Sequence, residues 1–143
     1  MPQTLAEKLL ARASGRPEVR PGEILEVAPD WIMVHESLGW GIADIIKELG
    51  ATRLAEPEKV VAVIDHFAPP PDEAAANLHR VCRDFANRFS LKEFHDMRKG
   101  ICHQVMFQDY VNPGEVVVGS DSHTTTYGAL GVSPLGLGSR MSP

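Results

Sequence analysis

Residues 60–66, Val-Val-Ala-Val-Ile-Asp-His, decide the fold class of this chain. Five apolar, mostly β-branched residues stand in a row and end at a carboxylate beside an imidazole. Such a short uninterrupted apolar run is typical of a strand that is buried on both faces, as in a parallel sheet. Prolines at 69–71 then force an extended turn, and Asp72 is placed to cap a helix. The stretch therefore predicts a β-strand followed by an α-helix.

The same alternation of strands and helices continues on both sides of this stretch. Further strands are predicted at Glu23–Val27, Trp31–Val34, Phe94–Met97 and Val116–Val118. Helices are predicted from the Thr4-x-x-Glu7 capping box to Gly15, and at Gly41–Leu49, 73–89 and His103–Tyr110. We therefore expect a single α/β domain over residues 1–143, with a mostly parallel sheet flanked by helices. The Gly-rich tail, residues 128–143, is expected to be poorly ordered.

Composition limits the classes of function. The chain has 143 residues, 43% of them hydrophobic, and a net charge of −5, which argues against a nucleic-acid partner. It has no run of 18 apolar residues and no apolar signal region after Met1, so we expect neither a membrane span nor secretion. Two isolated cysteines fit a reducing cytoplasm.

Polar residues follow two of the predicted strands directly. Asp65-His66 comes after the first apolar run, and Asp121-Ser122-His123 comes after Val116–Val118. We expect these two runs to be neighbouring parallel strands whose carboxyl ends lie at the same edge of the sheet. In open α/β sheets, side chains at the carboxyl ends of strands face the ligand crevice. A carboxylate held against a histidine raises the pKa of the imidazole and makes a general acid near neutral pH. The alternative is an ordinary strand-end aspartate and a polar turn, and spacing alone leaves both interpretations open.

Other histidines and cysteines carry weaker signals. Cys102-His103 invites a metal-site interpretation, but adjacent ligands rarely chelate one metal ion, and we assign no metal ligand in this chain. Cys82 and Cys102 are interpreted as packing residues, and His79 and His95 as surface residues. A Ser-His-Asp hydrolase is disfavoured because the chain has no Gly-x-Ser-x-Gly sequence.

Taken together, three segments resemble a known family. They are Ile64-Asp65-His66, GICHQV at 100–105, and VVVGSDSHTTTYGALG at 116–131. They resemble the large subunit of the aconitase family, in its 3-isopropylmalate dehydratase and homoaconitase branch, and the resemblance runs from about Thr4 to Gly138. It implies the first domain of the aconitase fold. It also implies an iron–sulfur hydro-lyase of amino-acid (leucine) biosynthesis that acts on a hydroxy-di- or tricarboxylic acid such as isopropylmalate, homocitrate or homoaconitate.

The resemblance also implies roles for individual residues. Asp65 and His66 resemble the pair that protonates the departing hydroxyl group. His103, Asp121 and His123 resemble the groups that hold the reacting water and hydroxyl by hydrogen bonds. The substrate-pocket positions are His35, Ser122 and Thr126. The base that removes the carbon-bound proton is a serine of a swivelling domain or a separate small subunit, and no position of this chain represents it.

The family cofactor is a [4Fe–4S] cluster held by three thiolates, two of them in a Cys-x-x-Cys sequence. This chain has two cysteines, and neither matches those positions. We therefore expect an N-terminal portion that is inactive by itself; the alternative is a stand-alone domain that binds a partner polypeptide supplying the cluster. Arg140-Met141 stands where the resembling proteins carry an acidic residue, and Leu38 stands where they usually carry a threonine. The sequence therefore does not decide which hydroxy acid is the substrate.

Overall fold

The computed structural model describes residues 2–37 and 39–137, and five strands alternate with helices in this part of the chain. The strands are β1 (Trp31–His35), β2 (Val60–Val63), β3 (Glu93–His95), β4 (Val116–Gly119) and β5 (Ser133–Gly136). The α-helices are α1 (Leu5–Ala13), α2 (Gly39–Glu48), α3 (Glu73–Arg88) and α4 (Cys102–Asp109). Two 3-10 helices cover Pro57–Lys59 and Ser122–Leu130.

All five strands are parallel, in the order β3-β2-β1-β4-β5. The α/β class with a parallel sheet is therefore confirmed. The chain moves outward from β1 to β3, crosses back through α4, and continues from β4 to β5, so the order reverses between β1 and β4. Ligands of open α/β sheets bind outside the carboxyl ends of the strands at such a switch point.

One detail of the predicted sheet is wrong. We expected the apolar runs at 60–64 and 116–118 to be neighbours, but each pairs with β1 instead. Ile32 is in register with Val60 on one side and with Val118 on the other. The two runs are parallel and end at the same edge of the sheet, as predicted. Their polar ends are consequently one strand further apart than expected, and the last residue of β1 stands between them.

The alternation of side chains along the strands divides the core into two layers. On one face, Met33, Val61 and Val117 pack with buried residues of α4. On the other face, Val34 and Ala62 pack with a second set of apolar residues that includes Ile42 of α2. All four residues of β2 are buried, which is why its sequence has no polar alternation. No helix in the described ranges combines the length and apolar character that crossing a bilayer needs.

Local helix signals are confirmed at two N-termini. Thr4 and Glu7 form the reciprocal hydrogen bonds of a capping box at α1. Asp72 accepts a hydrogen bond from the amide of Ala75 at the start of α3. The sequence therefore fixes where these helices begin without help from distant residues.

The predicted strand at Glu23–Val27 is wrong, because these residues form no strand and Ile24 is fully exposed. Prolines on both sides and an irregular apolar pattern leave the segment without a partner strand. The surface assignment of His79 is also wrong, since this residue is 1% exposed. The spacing of apolar residues at 74, 78, 81, 82, 85 and 89 predicts the buried face of this helix. The buried stripe of α3 instead runs through Ala75, His79 and Ala86, one position further along the chain. His95 is half-buried and is hydrogen-bonded to the Tyr110 hydroxyl.

The Gly-rich tail has regular structure up to its middle. Residues 133–136 form β5, which pairs with β4 of the same chain through Val116–Ser133 and Gly119–Gly136 contacts. The order of this tail in solution remains a prediction. Residues 138–143, including Arg140 and Met141, lie outside the described residues.

Gly119 ends β4 at a point where backbone and side chain approach very closely. A β-carbon at Gly119 would overlap the Thr124 hydroxyl oxygen and lie 2.8 Å from Thr124 Cγ2. Thr124 is 0% exposed and therefore has no free space to move into. Similarly, a β-carbon at Gly136 would lie 2.7 Å from the carbonyl oxygen of Asp121. Both glycines thus allow the segment that carries Asp121 to pack against the sheet.

We expect Gly119→Ala to lower the free energy of unfolding by about 1–3 kcal/mol, the usual cost of overfilling a packed site. Urea denaturation followed by circular dichroism measures this change. Gly128→Ala is the matched control from the adjoining 3-10 helix, because a β-carbon there meets only Pro134 Cγ at 3.7 Å. The control should change stability by less than about 0.5 kcal/mol. Equal effects of the two substitutions would contradict the steric argument.

Candidate active site

The carboxyl ends of three adjacent strands supply most of the polar side chains at the switch point. His35 is the last residue of β1, Asp65-His66 follows β2, and Asp121 follows β4. His103 comes from the first turn of α4, and His123 comes from the 3-10 helix Ser122–Leu130. The sheet order therefore gathers these residues into one crevice, although up to 88 positions separate them in the sequence.

Asp65 orients His66 through a short hydrogen bond. His66 Nδ1 lies 2.6 Å from Asp65 Oδ1, and Asp65 Oδ2 accepts a hydrogen bond of 2.6 Å from the amide of Cys102. The Asp65 side chain is 6% exposed, whereas that of His66 is 36% exposed. Because the carboxylate accepts from Nδ1, the Nε2 atom of His66 is the one left for a ligand. The backbone thus holds Asp65 in place, and Asp65 in turn orients an imidazole that faces solvent.

Glu36 holds the turn that carries this pair. It is 0% exposed, yet its carboxylate is fully hydrogen-bonded. Glu36 Oε2 accepts from the Asp65 amide at 3.1 Å, and Oε1 accepts from the Phe67 amide at 2.7 Å. Two backbone donors thus compensate for the burial of this polar side chain. This arrangement fixes the backbone on both sides of His66 and links the end of β1 to the end of β2.

A second cluster surrounds Asp121. His103 Nε2 and His123 Nδ1 lie 3.0 and 3.1 Å from Asp121 Oδ1, and the His123 amide donates to the same oxygen at 2.6 Å. Burial opposes ionisation of Asp121, but the His123 amide and the His103 imidazole outweigh it and hold the pKa of this carboxyl below its ordinary value. On its other side, His103 Nδ1 lies 2.9 Å from the buried Tyr127 hydroxyl. Asp121 and Tyr127 therefore fix the His103 ring at both nitrogens.

His35 lies between the two clusters. Its ring stacks on His66 with centroids 4.0 Å apart and planes 14° apart. Its Nδ1 atom lies 2.9 Å from Ser37 Oγ, and its Nε2 atom faces Asp121 Oδ2 at 3.9 Å, too far for a hydrogen bond. Nε2 is buried and has no hydrogen-bond partner among the described residues. Burial, together with the neighbouring His66, lowers the pKa of His35, so this imidazole is neutral at physiological pH.

The structure thus brings together all five residues that we predicted as catalytic, and it places His35 among them. Their catalytic roles stay predictions. Ser122 and Thr126 are exposed on the 3-10 helix, and neither side chain hydrogen-bonds to the histidines or carboxylates of the crevice. Sequence reasoning missed Tyr127 and the bridging role of Glu36. No spacing signal marks either residue, since both act on groups from other elements.

Neither cysteine thiol ionises easily. Cys102, the first residue of α4, is 0% exposed in the core, and burial raises the pKa of its thiol. Cys82 is half-buried on α3, and burial raises the pKa of its thiol to about 12. Metal-bound cysteines are thiolates, so both side chains are better suited to packing.

Comparison with known proteins places these features in a family. The model of the aconitase family (aconitate hydratase) matches residues 7–141. The 3-isopropylmalate dehydratase large subunit of Sulfurisphaera tokodaii is 42% identical over 138 residues, which is 96% of this chain and 33% of that protein. A probable 3-isopropylmalate dehydratase large subunit of Methanothermobacter thermautotrophicus is 44% identical over 97% of this chain and 33% of its own length. This chain therefore spans about a third of the length of these relatives, and it belongs to the aconitase family.

Proposed function

We propose that this chain is the N-terminal part of a hydro-lyase large subunit that dehydrates and rehydrates a hydroxy-dicarboxylic acid of the isopropylmalate type. The observation that carries the proposal is the crevice itself. Two carboxylate–imidazole clusters meet at the β1/β4 switch point in a chain that resembles 3-isopropylmalate dehydratase large subunits. A homoaconitase-type substrate with a different carbon skeleton is a second candidate, because no described residue of this chain distinguishes the two carbon skeletons.

In this proposal His66 is the general acid. A protonated His66 keeps its Nδ1 proton on Asp65 Oδ1 and presents its Nε2 proton to the leaving hydroxyl group. The buried Asp65 stabilises the imidazolium, and Glu36 keeps the pair in place. His103, Asp121 and His123 orient the hydroxyl or water by hydrogen bonds on the opposite side of His35. Ser122 and Thr126 remain proposed substrate contacts.

The residues present do not fit the family cofactor. A [4Fe–4S] cluster supplies Lewis-acid chemistry in full-length members of this family, and its ligation needs at least three thiolates. This chain has two cysteines, on α3 and at the start of α4, and burial raises the pKa of both thiols. We propose that the cluster ligands come from polypeptide outside these 143 residues. The chain alone is then inactive.

Partners follow from the same proposal. The relatives are named large subunits, which points to a small subunit as a companion, and we propose that it carries the base missing here. An alternative is an inert domain that binds a polypeptide supplying the cluster. The exposed Leu135 on edge strand β5 and the exposed Leu137 beyond it give such a chain an apolar contact. A neighbouring reading frame with the cluster cysteines would favour this alternative.

Both thiols are unpaired, and we propose the cytoplasm as the location.

The role of His66 can be tested in a full-length enzyme that carries this N-terminal sequence, together with its small subunit. We expect His66→Ala to lower kcat by about 100- to 10,000-fold, the usual contribution of a positioned proton donor. Binding of the hydroxy acid should change much less. His95→Gln is the matched control, because His95 also ends a strand of the sheet but belongs to neither cluster. Weaker binding with unchanged kcat in His66→Ala would rule out the acid role.

The cofactor proposal predicts that the purified 143-residue chain will not assemble a [4Fe–4S] cluster during anaerobic reconstitution with iron and sulfide. The reason is the shortage of thiolates. Visible absorbance spectra and iron and sulfide analysis measure the result. A broad visible absorbance with about four irons and four sulfides per chain would show that the chain holds its own cofactor.

Glu36 is expected to be a positioning residue. The Glu36 carboxylate accepts hydrogen bonds from two backbone amides. In Glu36→Gln, a side-chain NH₂ group faces one of these amides, so one charge-assisted hydrogen bond is lost. The free energy of unfolding should fall by about 1.5–3 kcal/mol. Nitrogen NMR of the imidazoles should also show that His66 leaves Asp65, a change that a purely structural loss elsewhere would not produce.

Glu56→Gln is the control for this substitution. Glu56 forms a surface ion pair with Lys59 at 2.7 Å, which contributes less than about 1 kcal/mol. It should leave the His66 resonances unchanged. If Glu36→Gln also leaves them unchanged, Glu36 stabilises the fold without positioning His66.

A further inference from the structure

His66 and His103 have different kinds of partner at Nδ1, although both rings belong to the crevice. His66 Nδ1 lies 2.6 Å from a carboxylate oxygen of Asp65, which accepts a hydrogen bond. His103 Nδ1 lies 2.9 Å from the hydroxyl group of Tyr127, which can donate one. The outer partner of a histidine decides which of its two nitrogens carries the proton. The two imidazoles are therefore prepared for different tasks.

The hydroxyl group of Tyr127 is buried and has one place to send its proton. Tyr127 is 0% exposed, and burial raises the pKa of its phenol, so the hydroxyl group keeps that proton. Its hydrogen-bond partner among the described residues is His103 Nδ1 alone. Phe107 packs against the Tyr127 ring edge-on, with centroids 5.4 Å apart, and restricts its movement. Because a buried donor without an acceptor is costly, the Tyr127 proton points at His103.

One tautomer of a neutral His103 ring satisfies both of its neighbours. With the proton on Nε2, the ring donates to Asp121 Oδ1 at 3.0 Å and accepts from Tyr127 at Nδ1. With the proton on Nδ1, the lone pairs of Nε2 and Asp121 Oδ1 would face each other across 3.0 Å. The Tyr127 proton would also lose its acceptor. The hydrogen-bonding pattern therefore selects the tautomer that carries its proton on Nε2.

We propose that Tyr127 is a positioning residue that fixes His103 as a hydrogen-bond donor to the reacting hydroxyl group or water. The proposal rests on the proposed hydro-lyase function and deepens it. His103 Nε2 supplies the proton of one hydrogen bond, and Asp121 Oδ2, which accepts none from the described side chains or amides, accepts the other. An oxygen placed between them turns a lone pair toward His103 and a hydrogen toward Asp121.

The same contact leaves proton transfer to His66. Loss of the Nε2 proton from a neutral imidazole leaves an anionic ring unless Nδ1 gains a proton, and Tyr127 occupies Nδ1 of His103. At His66 the proton on Nδ1 is held by Asp65, so a proton on Nε2 can leave without producing an anion. Tyr127 and Asp65 thus separate the donor of a lasting hydrogen bond from the acid.

The tautomer is measured in the 143-residue chain by imidazole nitrogen NMR. We expect the parent chain to carry the His103 proton on Nε2 and a hydrogen-bonded, unprotonated Nδ1. Tyr127→Phe keeps the buried ring and removes the hydroxyl group, so the Nδ1 resonance should move toward that of a free acceptor nitrogen. Tyr110→Phe is the matched control, because the Tyr110 hydroxyl contacts His95 and Glu93 outside the crevice. It should move the His95 resonances and leave those of His103 unchanged.

Kinetics of a full-length enzyme that carries this N-terminal sequence, with its small subunit, test the functional step. Tyr127→Phe should lower kcat by about 2- to 10-fold, the usual contribution of one hydrogen bond, with little change in KM. In a His103→Ala background the same substitution should lower kcat no further, because Tyr127 acts through the His103 ring. A purely structural role would give the same loss in both backgrounds. Tyr110→Phe should leave kcat unchanged.

Three results would overturn the proposal. They are a His103 ring that carries its proton on Nδ1 in the parent chain, His103 resonances that Tyr127→Phe does not move, and an equal loss of kcat with and without His103. The first measurement needs no variant, so it decides the tautomer even if Tyr127→Phe fails to fold. An enzyme that does not dehydrate a hydroxy acid would contradict the proposed function, whereas NMR would still show whether Tyr127 sets the tautomer of His103.

Discussion

The position of β1 between β2 and β4 is the constraint on which the crevice depends. Because both pairings are parallel, the carboxyl ends of all three strands lie at one edge. His35 at the end of β1 therefore stands between Asp65-His66 and Asp121, stacked on one imidazole and facing the other carboxylate. The reversal of chain direction at this point also leaves the edge uncovered by crossover helices. An antiparallel β1 would separate the two clusters completely.

Backbone amides donate hydrogen bonds to all three carboxylates of this edge. Asp65 accepts a hydrogen bond from the Cys102 amide, and Asp121 accepts one from the His123 amide. Glu36 accepts two hydrogen bonds from amides of the turn after β2. The donors come from the turn after β2, from the start of α4 and from the 3-10 helix Ser122–Leu130. Burial of these carboxylates is thus compensated by backbone amides together with imidazoles, and no lysine or arginine of the described residues pairs with them.

The sequence predicts the elements of this fold well because their signals are local. Apolar runs identify β2 and β4, and cap residues such as Thr4 and Asp72 identify where helices begin. Strand order was not predictable in the same way, since it depends on which strands pair, and the adjacent placement of the runs at 60–64 and 116–118 was wrong. Five polar residues of the site were predicted from motif and resemblance. Tyr127 and Glu36 were not, because each acts through a contact between distant segments.

The charge of the crevice limits what this chain can contribute to the proposed function. A hydroxy-dicarboxylate is itself an anion, and at a separation of about 4 Å each unpaired carboxylate of the site opposes it by several kcal/mol at intermediate dielectric. The imidazoles of His66, His103 and His123 contact Asp65 and Asp121, but no described lysine or arginine pairs with those carboxylates or with Glu36. Recognition of an acid here consequently needs positive charge from outside the described side chains. In the proposed function, proton transfer therefore falls to this chain, which spans a third of the relatives' length, and binding of the acid's negative charge falls to further polypeptide or its cofactor.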